Sequence, residues 1–241
     1  MLVMGAFAAA LAVGAAGFGD ALIAAAFWLH VMGPSEAVLL IVACGVTIYA
    51  INQVVLRDKL DTSRLVPFLA GGAFGVPVGA WLLRFAEPEP FRLGMGIFLV
   101  AYGGVFMILR ALPAVTAGGR AADAAVGLAG GVLGGFAGLS GVLPTIWSGL
   151  RAWPKARQRG THQPYVLTMH GLALVSLAVA GLVDVKMGER YLWFLPALLV
   201  GTWVGLKLYG HLNEVWFRRL VLGLFFVSGV ALIVGAVGAG S

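Results

Sequence analysis

An aspartate inside an apolar run is the residue of this chain with the clearest capacity for chemistry. Asp20 follows Gly17-Phe18-Gly19 within the stretch from Leu2 to Trp28, which holds no other charged side chain. An ionisable group at such a place is costly in hydrocarbon and marks a functional candidate. Two roles are open to it. It could cap a helix that starts after the glycines, or it could take up and release a proton during transport. His170, inside another apolar run, is the second candidate for carrying a proton; a lone buried histidine can equally be hydrogen-bonded structure. The four histidines show no ligand spacing, so no metal site is expected. Cys44 is the single cysteine, which excludes an internal disulfide and a thiolate cluster. No cofactor is implied.

The glycines beside Asp20 have a counterpart. The segment from Gly14 to Trp28 matches the segment from Gly135 to Gly149, with Gly14 and Gly17 falling on Gly135 and Gly138, an offset of 121. A break in a membrane helix frees backbone groups that lipid cannot satisfy, so it persists only against protein or a water-filled cavity. Paired breaks at matching points of two halves point to a transporter's substrate site. The second break, Gly138-Leu139-Ser140-Gly141, offers a hydroxyl and backbone N–H groups suited to an anion at a half-helix start. Thr145 and Trp147 follow within two turns. Arg159 and Gln163, in the basic segment from Trp153 to Pro164, are the cation and amide best placed to reach a vestibule. The substrate-binding candidates are therefore Gly17, Gly19, Gly138, Ser140, Gly141, Thr145, Trp147, Arg159 and Gln163, with Asp20 and His170 for coupling. Ser140 lacks the G-x-S-x-G setting of a hydrolytic nucleophile. Asn52 and Gln53 read as interfacial.

The elements that must position these residues are membrane helices. The chain has 241 residues, 61% of them hydrophobic and 11% charged. Apolar runs long enough to cross a bilayer recur at about 2–28, 36–56, 65–85, 92–110, 123–149, 164–183, 190–210 and 217–238. Eight spans leave no room for a soluble domain. The first has no basic segment before it and no small-residue cleavage site, so it is expected to be a retained helix. The net charge of +6 is the usual signature of basic loops beside a membrane and gives no reason to expect a nucleic-acid partner.

Further matches extend the duplication. An offset of 126 takes Gly75 and Gly79 to Gly201 and Gly205, Phe91 and Arg92 to Phe217 and Arg218, and Cys44-Gly45 to His170-Gly171. The halves are 1–112 and 122–241, joined by a linker at 113–121. Four spans per half predict an all-α polytopic protein made of two parallel repeats, with helices 1 and 5 broken near mid-membrane. The GxxxG pairs read as close helix packing. Basic residues then divide nine against seven between the two faces. A cytoplasmic segment between spans 5 and 6 would put both termini outside.

On these residues the sequence resembles the sulfite exporter TauE/SafE family of eight-helix membrane transporters. The matching pieces are the Gly17-Phe18-Gly19 break with Leu22-Ile23, Pro34-Ser35-Glu36-Ala37, the run Gly71 to Ala80, and the Gly134–Gly141 break followed by Lys155 to Arg159. The resemblance implies movement of small, sulfur-containing anions such as sulfite, thiosulfate or organosulfonates across a bacterial inner membrane. Asp20 stands where many members have glycine, and Ala26 where many have proline. The expected function is a secondary transporter working by alternating access, with proton coupling through Asp20 or His170. A passive anion channel is the alternative, and an intramembrane enzyme a more remote one, since no nucleophile–base set is visible. The small anion and the bilayer are the only partners implied.

Overall fold

The computed structural model describes residues 1–56, 60–109, 115, 117–209, 211 and 214–239. Ten α-helices form among them, with no strand: α1 (Leu2–Ala16), α2 (Asp20–Trp28), α3 (Pro34–Leu56), α4 (Thr62–Leu83), α5 (Pro88–Ile108), α6 (Gly119–Ala137), α7 (Val142–Leu150), α8 (Lys155–Val179), α9 (Val185–Leu208) and α10 (Glu214–Ala239). Five of the described helices, α3, α4, α5, α9 and α10, are long and apolar enough to cross a membrane. The protein is an all-helical, polytopic membrane protein.

The two breaks are sharper than interruptions. Gly17 and Gly19 take φ values of 88° and 100°, a left-handed region that side chains other than glycine rarely enter. The Gly17 N–H closes α1 on the Val13 carbonyl at 2.8 Å. After this reversal α2 runs back along α1. Trp28 at its far end donates Nε1–H to the Leu2 carbonyl at 2.9 Å. The second break does the same at Gly138, with φ 74°. The far end of α7 returns to the base of α6, where Val115 N–H meets the Leu150 carbonyl at 2.7 Å and Trp147 Nε1–H donates to Asp123 at 2.8 Å. The expectation that helices 1 and 5 are single broken crossings is thus corrected: each is a helical hairpin whose ends lie together.

Glycines set how the halves pack. On α4, a methyl at Gly71, Gly75 or Gly79 would strike the α6 carbonyls of Ala124, Leu128 and Val132 in turn, so α4 and α6 run parallel in close contact. Gly201 and Gly205 of α9 meet the α1 carbonyls of Phe7 and Leu11 in the same way. These two pairs exchange under the offsets of 121 and 126. Across the middle, α5 and α10 are antiparallel, Gly96 lying on Gly229 and Gly103 on Leu222. So are α3 and α8, Gly45 lying on His170 while Asp61, beyond α3, meets Gly160. Corresponding helices of the two halves therefore point in opposite directions. This departs from the expected parallel arrangement: each half consists of one hairpin and three longer helices, of which α3, α4, α5, α9 and α10 are long and apolar enough to cross a membrane.

The basic segment also differs from expectation. It is helical from Lys155, because Pro154 precedes α8 and presets its first turn. Pro164 inside α8 cannot donate to the Gly160 carbonyl; that carbonyl accepts from the Asp61 N–H instead, at 3.4 Å. Of the linker expected at 113–121, residues 113, 114 and 116 lie outside the described residues, and α6 has begun by Gly119.

Candidate functional site

The hairpin tips come together between α3 and α8. They line a small, partly open cavity together with other elements: Gly19 and Asp20 from the first tip, Gly138, Gly141 and Thr145 from the second, and Tyr49, His162 and His170. Its volume is ≈ 20 Å³, about the room of one ordered water. Gly19 has nothing within 4 Å of where a Cβ would sit, so its backbone stands open to this space.

Asp20 is 6% exposed and opens α2, yet it makes no side-chain capping bond. Its Oδ1 accepts from the Tyr49 hydroxyl at 2.8 Å, while Oδ2 has no hydrogen-bond partner. His170 Nε2–H donates to the Gly138 carbonyl at 3.1 Å. That bond assigns the proton of a neutral imidazole to Nε2 and leaves Nδ1 an acceptor. Nδ1 is also buried without a partner. Both unpartnered atoms face Gly45: a Cβ there would sit 3.2 Å from Asp20 Oδ2 and would overlap the His170 ring at Nδ1. The two acceptors border the same space at Gly45 without a hydrogen bond or ion pair between them, so either one could take up a proton there. His162 Nε2–H donates to the Gly141 carbonyl at 3.2 Å. Thus each histidine of α8 holds one side of the second tip, and Tyr49 lies edge-on to His170 at 6.0 Å between ring centroids.

The other candidates lie elsewhere. Ser140 is fully buried, with its hydroxyl turned onto Gly134 of α6 and no hydrogen-bond partner. Trp147 sits at the hairpin base, where Asp123 also accepts from Arg64 at 3.2 Å. Arg159 and Gln163 are both buried, and they meet the first tip at Gly17 rather than the cavity: a Cβ on Gly17 would stand 3.5 Å from Arg159 Nε and 3.4 Å from Gln163 Nε2. The Arg159 guanidinium also lies 4.1 Å from the centroid of the Tyr209 ring.

Sequence reasoning missed Tyr49 and His162 as parts of the site. The signal was the spacing: Gly45, Tyr49 and Asn52 fall on one face of α3, and His162, Val166 and His170 on one face of α8. Asn52, expected at an interface, is completely buried. Among the described residues no three His, Cys, Asp or Glu side chains gather closely enough to hold a metal.

No curated protein and no solved structure gives a significant match to the chain. A family model does, and its reach runs from α1 into α10. The model is that of the sulfite exporter TauE/SafE, it matches residues 2–232 of the 241, and the chain belongs to this family of membrane transporters.

Proposed function

We propose that the protein is a secondary transporter that carries a small sulfur-containing oxyanion of the sulfite, thiosulfate or organosulfonate class by alternating access, coupled to a proton. The observation that carries the reading is the convergence of two hairpin tips, one from each half, on a small cavity that also holds Asp20, Tyr49 and His170. Irregular backbone at membrane depth needs protein or a polar cavity around it. Helix starts at α2 and α7 offer backbone N–H groups to an anion. The anion is bound by Gly19, Gly138, Gly141 and Thr145, and a proton on Asp20 or His170 offsets its charge. With room for about one water, the cavity must widen on one side before an oxyanion can occupy it. Ser140 supports the second tip from behind, Trp147 anchors its base, and Gly17 provides the first reversal.

The halves, 1–112 and 122–241, are proposed to be inverted repeats, each with one re-entrant hairpin and three crossings. That topology changes the charge balance. Of the thirteen Lys and Arg among the described residues, Arg84, Arg92, Lys186 and Arg190 fall on the side of the two termini and the other nine on the opposite side. Nine against four supports a cytoplasmic base for the α6–α7 hairpin and periplasmic termini, in a bacterial inner membrane as the family resemblance implies.

The test is uptake of radiolabelled sulfite by proteoliposomes. Saturable uptake that is accelerated by a pH gradient and shows counterflow is expected. Asp20→Asn should lose at least tenfold of the gradient-driven rate while keeping sulfite exchange. Flux without saturation or counterflow would establish a channel, and an Asp20→Asn variant driven as well as the parent would remove the coupling role.

A further inference from the structure

Besides the central cavity, a second set of buried polar groups lies nearer the basic face. Asn52 is seven residues past Gly45 on α3, and Gln163 is seven before His170 on the antiparallel α8. Both therefore stand roughly 10 Å from the Gly45–His170 crossing, on the same side and at the same level. Asn52 is 0% exposed and Gln163 1%. Neither the nitrogen nor the oxygen of either amide has a hydrogen-bond partner. Native proteins rarely leave such groups unsatisfied, because burial takes away their hydrogen bonds to water and puts nothing in their place.

Packing does not explain them. The first tip at Gly17 meets Gln163 and Arg159, whereas the second tip at Gly138 meets Ile41. An aliphatic side chain thus does for one hairpin what an amide and a guanidinium do for the other. Four amide hydrogens and a buried cation are suited to a small oxyanion, whose oxygens accept from all of them. Arg159, one turn before Gln163 on α8, reaches Gly17 as well.

We infer that Asn52 and Gln163, with Arg159, form a second oxyanion station on the basic side of the first tip, which the substrate occupies between the central cavity and that face. The inference rests on the proposed anion transport and adds to it a second binding place. The station also accounts for one difference between the hairpins: Gln163 and Arg159 stand beside Gly17, where Ile41 stands beside Gly138.

The test is thermal unfolding of the purified full-length protein with sulfite, sulfate and methanesulfonate, against chloride, for the parent, Asn52→Leu and Gln163→Leu. Removing an unpartnered amide leaves the anion-free midpoint unchanged or higher, whereas loss of a structural hydrogen bond would lower it. The expected result is a parent stabilised by at least one of the three anions, and variants whose apparent Kd for it is raised tenfold or more. Asn52→Asp and Gln163→Glu, which keep the shape and add negative charge, should lose the anion response altogether and decide the matter if the leucine variants do not fold. If all the variants respond like the parent while Thr145→Val, altered in the central cavity, does not, the station is wrong and the central site stands. A parent that responds to none of the anions overturns both.

Discussion

Gly45 and Gly171 are equivalent in the duplicated sequence, and a single methyl group should affect them in opposite ways. At Gly45 the new Cβ would lie 2.6 Å from His170 Cε1 and closer still to Nδ1, so the imidazole must retreat by about 1 Å to restore ordinary contact. A shift of that size takes His170 Nε2 out of hydrogen-bond range of the Gly138 carbonyl, now 3.1 Å away. Overpacking of a filled core costs about 1–3 kcal/mol, and a buried carbonyl left without its donor about 1–3 kcal/mol more. Gly45→Ala should therefore lose roughly 2–5 kcal/mol, offset by up to about 1 kcal/mol of helix propensity. Gly171 has nothing within 4 Å of its would-be Cβ, so Gly171→Ala keeps only the propensity gain. In thermal unfolding of the purified protein, Gly45→Ala should melt roughly 4–12 °C below the parent, and Gly171→Ala at or slightly above it. Sulfite uptake should fail in the first variant and survive in the second. Equal midpoints for the two would show that α3 and α8 do not cross as described.

At the base of the second hairpin, Asp123 is fully buried and Arg64 30% exposed, so Arg64→Met strands a carboxylate and should cost about 2–4 kcal/mol after screening is allowed for. The double variant Arg64→Met/Asp123→Leu should recover most of that in chemical denaturation, and a double variant as unstable as the single one would exclude the pair. Trp28→Phe removes the bond to the Leu2 carbonyl and should lower stability by about 1 kcal/mol, read as faster hydrogen exchange at the N-terminus of α1. Asp61 lies outside the bilayer, and the Ser63 hydroxyl, with help from the Arg64 N–H and from Arg157, holds its carboxyl below the ordinary value. A lowered folded-state value stabilises above the unfolded value near 3.9, and that contribution is lost as pH falls through the folded value. Stability measured from pH 5 down to pH 2 should fall less steeply for Asp61→Asn, and superimposable acid limbs would refute this.

The packing was legible because backbone contact demands glycine: the offsets of 121 and 126 correspond to the real pairs Gly14 with Gly205 and Gly79 with Gly135. The direction of the chain after each break was not. Hydropathy reads the same for an apolar run that passes through a membrane and for one that turns back inside it. Length held the missing clue, since the runs at 2–28 and 123–149 have 27 residues each, while about 20 suffice to cross. Asp20 and His170 stood out as ionisable groups in apolar surroundings. Tyr49 and Asn52 did not, because a tyrosine or an asparagine near a helix end looks interfacial until its neighbour, here α8, is known.

Opposed ion pairs make the proposed alternation energetically balanced. On the basic face Arg157, at the start of α8, pairs with Asp61, at the start of α4, at 3.1 Å. On the other face Glu36, at the start of α3, pairs with Arg190, near the start of α9. The offset of 121 carries Glu36 onto Arg157, and both pairs join the same two elements of the repeat with the charges reversed. Arginine exposure is 49% in one and 45% in the other, so each pair is worth at most about 1 kcal/mol. Opening either end would break one weak pair of the same kind, so these two pairs favour neither state. The bias between the two states must then come from the tips. It is there that the halves differ most, with Asp20 opposite Gly141 and Gln163 at the place where the other tip meets Ile41. A substrate or proton that acts on these groups shifts the balance directly, since a ligand moves such an equilibrium only through its unequal affinity for the two states.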